Sequence, residues 1–155
     1  MAHLRIGLIG FGSWAQISYV PALMAEESVE ILALAASTNQ THTDARESLG
    51  TEFDSYTNYD DLLVREDIDA VVIGVPPDTS ATVALAAVRA GKHLFVEPHL
   101  KESPTTDELL ERATGTDRVF HADLEARYLP TVDAIKDLAE RDDFGALKTI
   151  RIHLG

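Results

Sequence analysis

Arg5-Ile6-Gly7-Leu8-Ile9-Gly10-Phe11-Gly12-Ser13-Trp14-Ala15 begins as an apolar run and breaks into Gly10-x-Gly12-x-x-Ala15. The pattern predicts a strand, a tight turn and the start of a helix. Gly10 permits the turn, Gly12 lets the backbone approach a pyrophosphate, and Ala15 is small enough for the helix to pack closely on its strand. Phe11, Ser13 and Trp14 complete the turn and would lie along the same ligand. The unpaired N–H groups and positive dipole end of that helix would then face phosphate. An ordinary strand-to-helix turn is the competing reading, so the rest of the chain decides the weight of the motif.

Short apolar runs alternate with helical patterns along the sequence. Strands are expected at Leu4–Ile9, Ile31–Ala36, Ala70–Val75, His93–Val96 and Val119–Ala122, and helices at Ala15–Ala25, Thr43–Leu49, Asp60–Leu63, Thr79–Ala90 and Pro104–Ala113. Such alternation implies an α/β protein with a Rossmann-type, doubly wound parallel sheet. Asp78 is expected to cap a helix that Gly91 ends, and Ser103-Pro104 sets a capping hydroxyl before a proline at the first helical position. Residues 1–122 read as a dinucleotide-binding domain. Residues 123–155 read as a helix, with Val132, Ile135, Leu138 and Ala139 on one face, followed by an alternating strand at Leu147–Leu154. A lone terminal strand would leave an exposed edge, so this stretch is expected to begin a C-terminal sheet domain absent from the sequence.

The 155 residues carry 26 acidic and 13 basic side chains, a net charge of -13. That surface repels nucleic acid and anionic lipid, whose binding rests on clustered Lys and Arg. The absence of cysteine rules out disulfides and thiolate chemistry. No apolar stretch approaches the ~20 residues needed to cross a bilayer, and no secretory leader precedes the first strand, so a cytoplasmic setting is expected. His3, His42, His121 and His153 show no metal-ligand spacing, and no metal is assigned.

Three further segments carry a family resemblance: Tyr56-Thr57-Asn58-Tyr59-Asp60-Asp61-Leu62-Leu63, Ile68-Asp69-Ala70-Val71-Val72-Ile73-Gly74-Val75-Pro76-Pro77-Asp78-Thr79, and Ala90-Gly91-Lys92-His93-Leu94-Phe95-Val96-Glu97. With the glycine turn, with Arg127-Tyr128-x-Pro130 and with Gly145-x-Leu147-x-x-Ile150, they resemble the Gfo/Idh/MocA-type NAD(P)-dependent oxidoreductases. The resemblance implies NAD or NADP as cofactor and a sugar, polyol or cyclitol as the small-molecule partner; homo-oligomerisation is left open. Val75, Pro76 and Pro77 would lie near the nicotinamide or its ribose, at the carboxyl end of a strand, and Glu97 would orient a ligand hydroxyl.

The chain also departs from the family. Where family members have Glu-Lys-Pro, it reads Glu97-Pro98-His99-Leu100, so Pro98 stands where the resemblance implies a catalytic lysine. His99 and Lys101 are the candidate substitutes, since an imidazole or an amine can move a proton, although His99 reads equally well as an idle loop residue. The Glu97–Pro98 bond is also one that can adopt the cis form. At the end of the second strand, Ala36-Ser37-Thr38-Asn39 offers no carboxylate for a ribose 2′-OH. Ser37, Thr38 and Asn39 could instead donate to a 2′-phosphate, with Arg46 nearby. Ser80 replaces a common His, and Asp123-Leu124-Glu125-Ala126 replaces a Gly-Phe-Asn-Arg stretch. The reading is therefore the nucleotide-binding part of an oxidoreductase that moves hydride on a sugar-like substrate, inactive as this fragment alone. A non-catalytic dinucleotide sensor or partner module is the alternative.

Overall fold

Strands covered on both faces need apolar residues at successive positions, and Gly7-Leu8-Ile9 and Ala70-Val71-Val72-Ile73 have this character. β1 (Leu4–Ile9), β2 (Val29–Ala35), β3 (Asp54–Tyr56), β4 (Ala70–Ile73), β5 (His93–Val96) and β6 (Phe120–Ala122) form one sheet in the order β3-β2-β1-β4-β5-β6. Every pairing is parallel. The computed structural model describes residues 3–141, 143–146, 148, 149 and 151, which fall into two compact units, Met1–Asp123 and Leu124–Gly155.

Alternate side chains of the first unit feed two cores. Ile6, Leu8, Leu34, Ala70 and Val72 pack with Ala15 of α1 (Ser13–Ile17), Val20 of α2 (Tyr19–Ala25), and Ala45 and Leu49 of α3 (Asn39–Leu49). Ile9, Val71, Ile73, Leu94 and Val96 pack with Leu62 of α4 (Tyr59–Leu63), Val83 and Ala87 of α5 (Pro77–Arg89) and Leu109 of α6 (Pro104–Thr114). The sheet is thus doubly wound, and its order reverses between β1 and β4. Ligands of such sheets bind outside the carboxyl ends at that reversal.

Several boundaries differ from the expected ones. The helix expected at Ala15–Ala25 is broken at Ser18, whose φ/ψ of -102°/-88° is not helical. Pro21 explains the break, because its ring excludes the carbonyl of Ile17 and it has no N–H to donate. α3 starts at Asn39, not Thr43, because Thr38 caps it with its hydroxyl, accepting from the Thr41 N–H at 3.2 Å. Strand β4 stops at Ile73 rather than Val75. α5 begins at Pro77 with Pro76 at the cap, so Asp78 is a first-turn acid and not the capping residue. β3 has no counterpart among the expected strands: its three residues pair with Ala33, Leu34 and Ala35.

The second unit holds a 3-10 turn at Glu125–Tyr128 and the helix α7 (Pro130–Ala139), none of whose residues is buried. The strand expected at Leu147–Leu154 lies largely outside the described residues.

At the amino ends of the strands, Asp69 ties β1 to β4. Its Oδ2 accepts from the Arg5 backbone N–H at 3.0 Å and from Arg5 Nε at 2.9 Å, and its Oδ1 accepts from Nη2 at 2.7 Å. Its carbonyl accepts from the His93 N–H of β5 at 3.0 Å. Beside it the buried Lys92 amine donates to the carbonyls of Arg65 and Ile68, and burial lowers its pKa. The Arg5 hydrogen bonds hold the Asp69 carboxyl at about 2. A carboxyl depressed on folding stabilises the fold above its unfolded pKa of ~3.9 and loses that contribution as pH falls through the folded value. Melting temperatures of the wild type should therefore fall more steeply between about pH 4 and about pH 2 than those of Asp69→Asn, as followed by circular dichroism.

Candidate functional site

At the reversal, the carboxyl ends of β1, β2 and β4 frame a cleft of about 620 Å³. Gly10 closes its floor with a φ of +87°, in the left-handed region that favours glycine. A Cβ there would stand 2.3 Å from the Gly74 carbonyl oxygen and 3.1 Å from Val75 Cγ1. The Gly10 N–H donates to the Ala35 carbonyl at 2.8 Å and the Gly74 N–H to the Ile9 carbonyl at 2.9 Å. Gly10 is required by the fold itself.

Gly12 is not. A Cβ on it would meet nothing within 4 Å, its φ of -73° suits any residue, and it caps α1 with no side-chain hydrogen bond. The missing side chain leaves open space before the N–H groups of the first turn of α1, which have no acceptor within the helix. An anionic group fits that space. Phe11 is buried and lines the cleft, with its carbonyl accepting from Gln16 Nε2 at 3.2 Å. Ser13 and Trp14 are exposed at the start of α1, and Ala15 is buried against β4 near Gly74.

On the β2 side, Ala36 and Ser37 line the cleft, Ala36 buried and Ser37 exposed. Thr38 and Asn39 are not among its lining. The Thr38 hydroxyl caps α3 and the Asn39 carbonyl accepts from Thr43 Oγ1. Thr41 of α3 does line the cleft, as do Thr57, Asn58 and Tyr59 after β3. Arg46 does not: it donates to Ser55 Oγ at 2.6 Å and lies over the Phe53 ring. On the β4 side Val75 and Pro76 form the wall, with Pro77 at the first position of α5. Thr79 Oγ1 donates to the Pro76 carbonyl at 3.0 Å.

The segment after β5 lies beyond this cleft's lining. Glu97 is half-buried, and the Glu97–Pro98 bond is trans, no cis bond occurring among the described residues. The Leu100 N–H donates to the Pro98 carbonyl at 2.8 Å, a turn that leaves His99 exposed with no hydrogen bond to a described residue. Lys101 pairs with Asp78 in the first turn of α5. Tyr19, which sequence reasoning passed over, reaches the same reversal from α2: a Cβ on Gly74 would stand 1.7 Å from its Oη. Among the described residues no group of three or more His, Asp or Glu side chains could hold a metal ion, and no helix is long and apolar enough to cross a membrane.

A doubly wound sheet of this order, with a glycine turn opening onto its reversal, defines a dinucleotide-binding domain. Residues 4–124 match the model of the oxidoreductase family with an NAD-binding Rossmann fold, and the chain belongs to that family, Gfo/Idh/MocA. It is 32% identical over 149 residues to dTDP-3,4-didehydro-2,6-dideoxy-alpha-D-glucose 3-reductase of Streptomyces violaceoruber, covering 96% of this chain and 42% of the relative. The structure is similar to that of myo-inositol 2-dehydrogenase from Lactobacillus plantarum, with a TM-score of 0.83 and 26% identity over 92% of this chain and 42% of the other. A 3-ketoreductase from Actinomadura kijaniata, solved in complex with NADP and TDP-benzene, gives a TM-score of 0.79 at 27% identity, covering 89% of this chain and 42% of the other. The chain thus spans less than half the length of these relatives.

The two glycines of the turn should separate experimentally. Gly10→Ala should destabilise by about 1–3 kcal/mol through strain and overpacking, a fall of roughly 2–9 °C in melting temperature. Gly12→Ala should melt within about 1 °C of wild type, since nothing is displaced. Thermal denaturation of the two variants side by side checks both.

Proposed function

We propose that residues 1–122 form the cofactor-binding part of an NAD(P)-dependent oxidoreductase acting on a sugar, polyol or cyclitol-like small molecule, and that residues 123–155 lead toward a C-terminal substrate domain. The observation that carries the reading is the open space over Gly12 at the mouth of the cleft. Bound there, the nicotinamide cofactor supplies the hydride chemistry. The turn and the first N–H groups of α1 would hold its pyrophosphate, and Val75 and Pro76 would flank its nicotinamide half. The sugar and inositol enzymes among the relatives support the substrate class, and a cytoplasmic setting fits the same reading.

On the β2 side, hydroxyls of Ser37 and Thr41 line the cleft and no carboxylate does. NADP is thereby accepted, since no carboxylate in the cleft lining stands against a 2′-phosphate. For proton transfer Pro98 offers no amine, and the two candidates differ in placement. Both side chains are exposed, but Lys101 is drawn to Asp78 beside the Pro76-Pro77 turn, whereas His99 makes no hydrogen bond to a described residue. We assign the acid–base role to Lys101.

Trp14, the only tryptophan, stands exposed in the turn and reports binding directly. Titration with NADPH should quench its fluorescence, and Gly12→Val should weaken binding by more than about tenfold with an unchanged melt. No quenching and no calorimetric heat with NADH or NADPH at millimolar concentration would refute the reading. Ser37→Asp should shift the NADP-to-NAD affinity ratio toward NAD by charge repulsion; Ser37 is preferred to the buried Ala36 because its substitution spares the core. In the full-length protein, Lys101→Ala should lower turnover by roughly 10²–10⁴-fold and leave cofactor affinity nearly unchanged, with His99→Ala close to wild type.

A further inference from the structure

Tyr19 presents a hydroxyl that the fold does not need. Its ring packs edge-on against Phe95 at 5.8 Å, a contact that phenylalanine would make equally well. The Oη atom is fully buried and has no hydrogen-bond partner among the described residues. It lies in the space that a side chain at position 74 would fill, 1.7 Å from an ideal Cβ on Gly74. Two positions are therefore committed to keeping this oxygen at the β1/β4 reversal: residue 74 has no side chain, and residue 19 carries a hydroxyl.

The carboxylates whose charge acts on the hydroxyl are Glu97, two residues beyond Phe95 and directly after β5, and Asp123, directly after β6; His121 of β6 stacks on Phe95 at 5.3 Å. Burial, reinforced first by Glu97 and then by Asp123, raises the phenol pKa well above its usual value. The group is consequently a proton donor at every physiological pH. Of the two carboxylates, Glu97 directly follows the strand adjacent to β4 and is half-buried, while Asp123 directly follows the next strand out and is buried. A buried O–H donor seeks an acceptor, and hydrogen bonds to ionised groups are the strong ones.

Building on the cofactor reading above, we propose that Tyr19 is a positioning residue: when the cleft is loaded, its hydroxyl donates to the Glu97 carboxylate and fixes it at the carboxyl end of β5. Tyr19 touches no substrate in this arrangement and acts through Glu97. Gly74 is the space that permits the contact.

The test is a double-mutant cycle on NADPH affinity, read from Trp14 fluorescence and calorimetry. Tyr19→Phe and Glu97→Gln should each weaken binding by about 10- to 100-fold, and the double variant should be no weaker than either single one. Tyr19→Phe should also move the acid limb of the binding profile to higher pH, because its carboxylate has lost a donor, and Glu97→Gln should lack that limb. A role in packing alone would leave the profile unmoved. Additive effects, wild-type affinity in Tyr19→Phe, or coupling to Asp123→Asn instead of Glu97→Gln would each overturn the inference. So would early melting of Tyr19→Phe, which would show that the hydroxyl serves the fold. These outcomes presuppose that wild type binds NADPH; if it does not, the cofactor reading itself falls, and this inference with it.

Discussion

The backbones of β1 and β4 come so close beyond their last paired residues that no side chain fits between them. Gly10 faces the Gly74 carbonyl at a distance a Cβ could not tolerate, and Gly74 in turn lies under the Tyr19 hydroxyl. Because this approach lies at the reversal of the sheet, the two wings part immediately above it and the cleft opens there. The rest follows by connection. β2 meets β1 through the hydrogen bond from Gly10 to Ala35, and α1 starts three residues later with its free N–H groups at the rim. At the opposite end of the same two strands, the Arg5–Asp69 pair fixes their relative height.

The sheet was legible in the sequence wherever burial on both faces left continuous apolar runs, as in β1, β4 and β5. It was not legible in β3, whose Asp54 and Ser55 look like loop residues; only pairing with the already formed edge of β2 makes them a strand. The break at Ser18 was available in principle, since Pro21 forbids a continuous helix through residue 17. The early start of α3 was available in Thr38, a residue expected to contact a ligand and whose hydroxyl oxygen caps the helix. One hydroxyl can serve either purpose, and a linear sequence does not say which donor it meets.

The same ambiguity divides the candidate site. Gly10, Phe11, Gly12, Ser37, Val75 and Pro76 share one cleft because they sit at the ends of neighbouring strands, a relation that strand order alone supplies. Thr41 joins them from a helix that carries no motif, and Thr57 from the Tyr56–Leu63 segment, in which no site residue was expected. Tyr19 was invisible for a different reason: its hydroxyl matters through residue 74, which is distant in sequence, and an aromatic residue on a helix face normally reads as core. Membership of the family defines what the glycine turn is built for.

The cleft contains none of the Asp, Glu, Lys, Arg or His side chains that are so abundant elsewhere in the chain. Recognition of the dinucleotide's phosphates there would rest on backbone N–H dipoles and neutral hydroxyls, short-ranged groups that exert little pull at a distance. Far from the cleft, an anionic molecule meets the field of this chain's net charge of -13. Encounter and retention are thus governed by separate forces. Added salt screens the repulsion within a Debye length of roughly 10 Å while leaving the desolvated contacts almost untouched. Moderate ionic strength would thus speed capture without hastening release, the reverse of what a basic nucleotide pocket experiences.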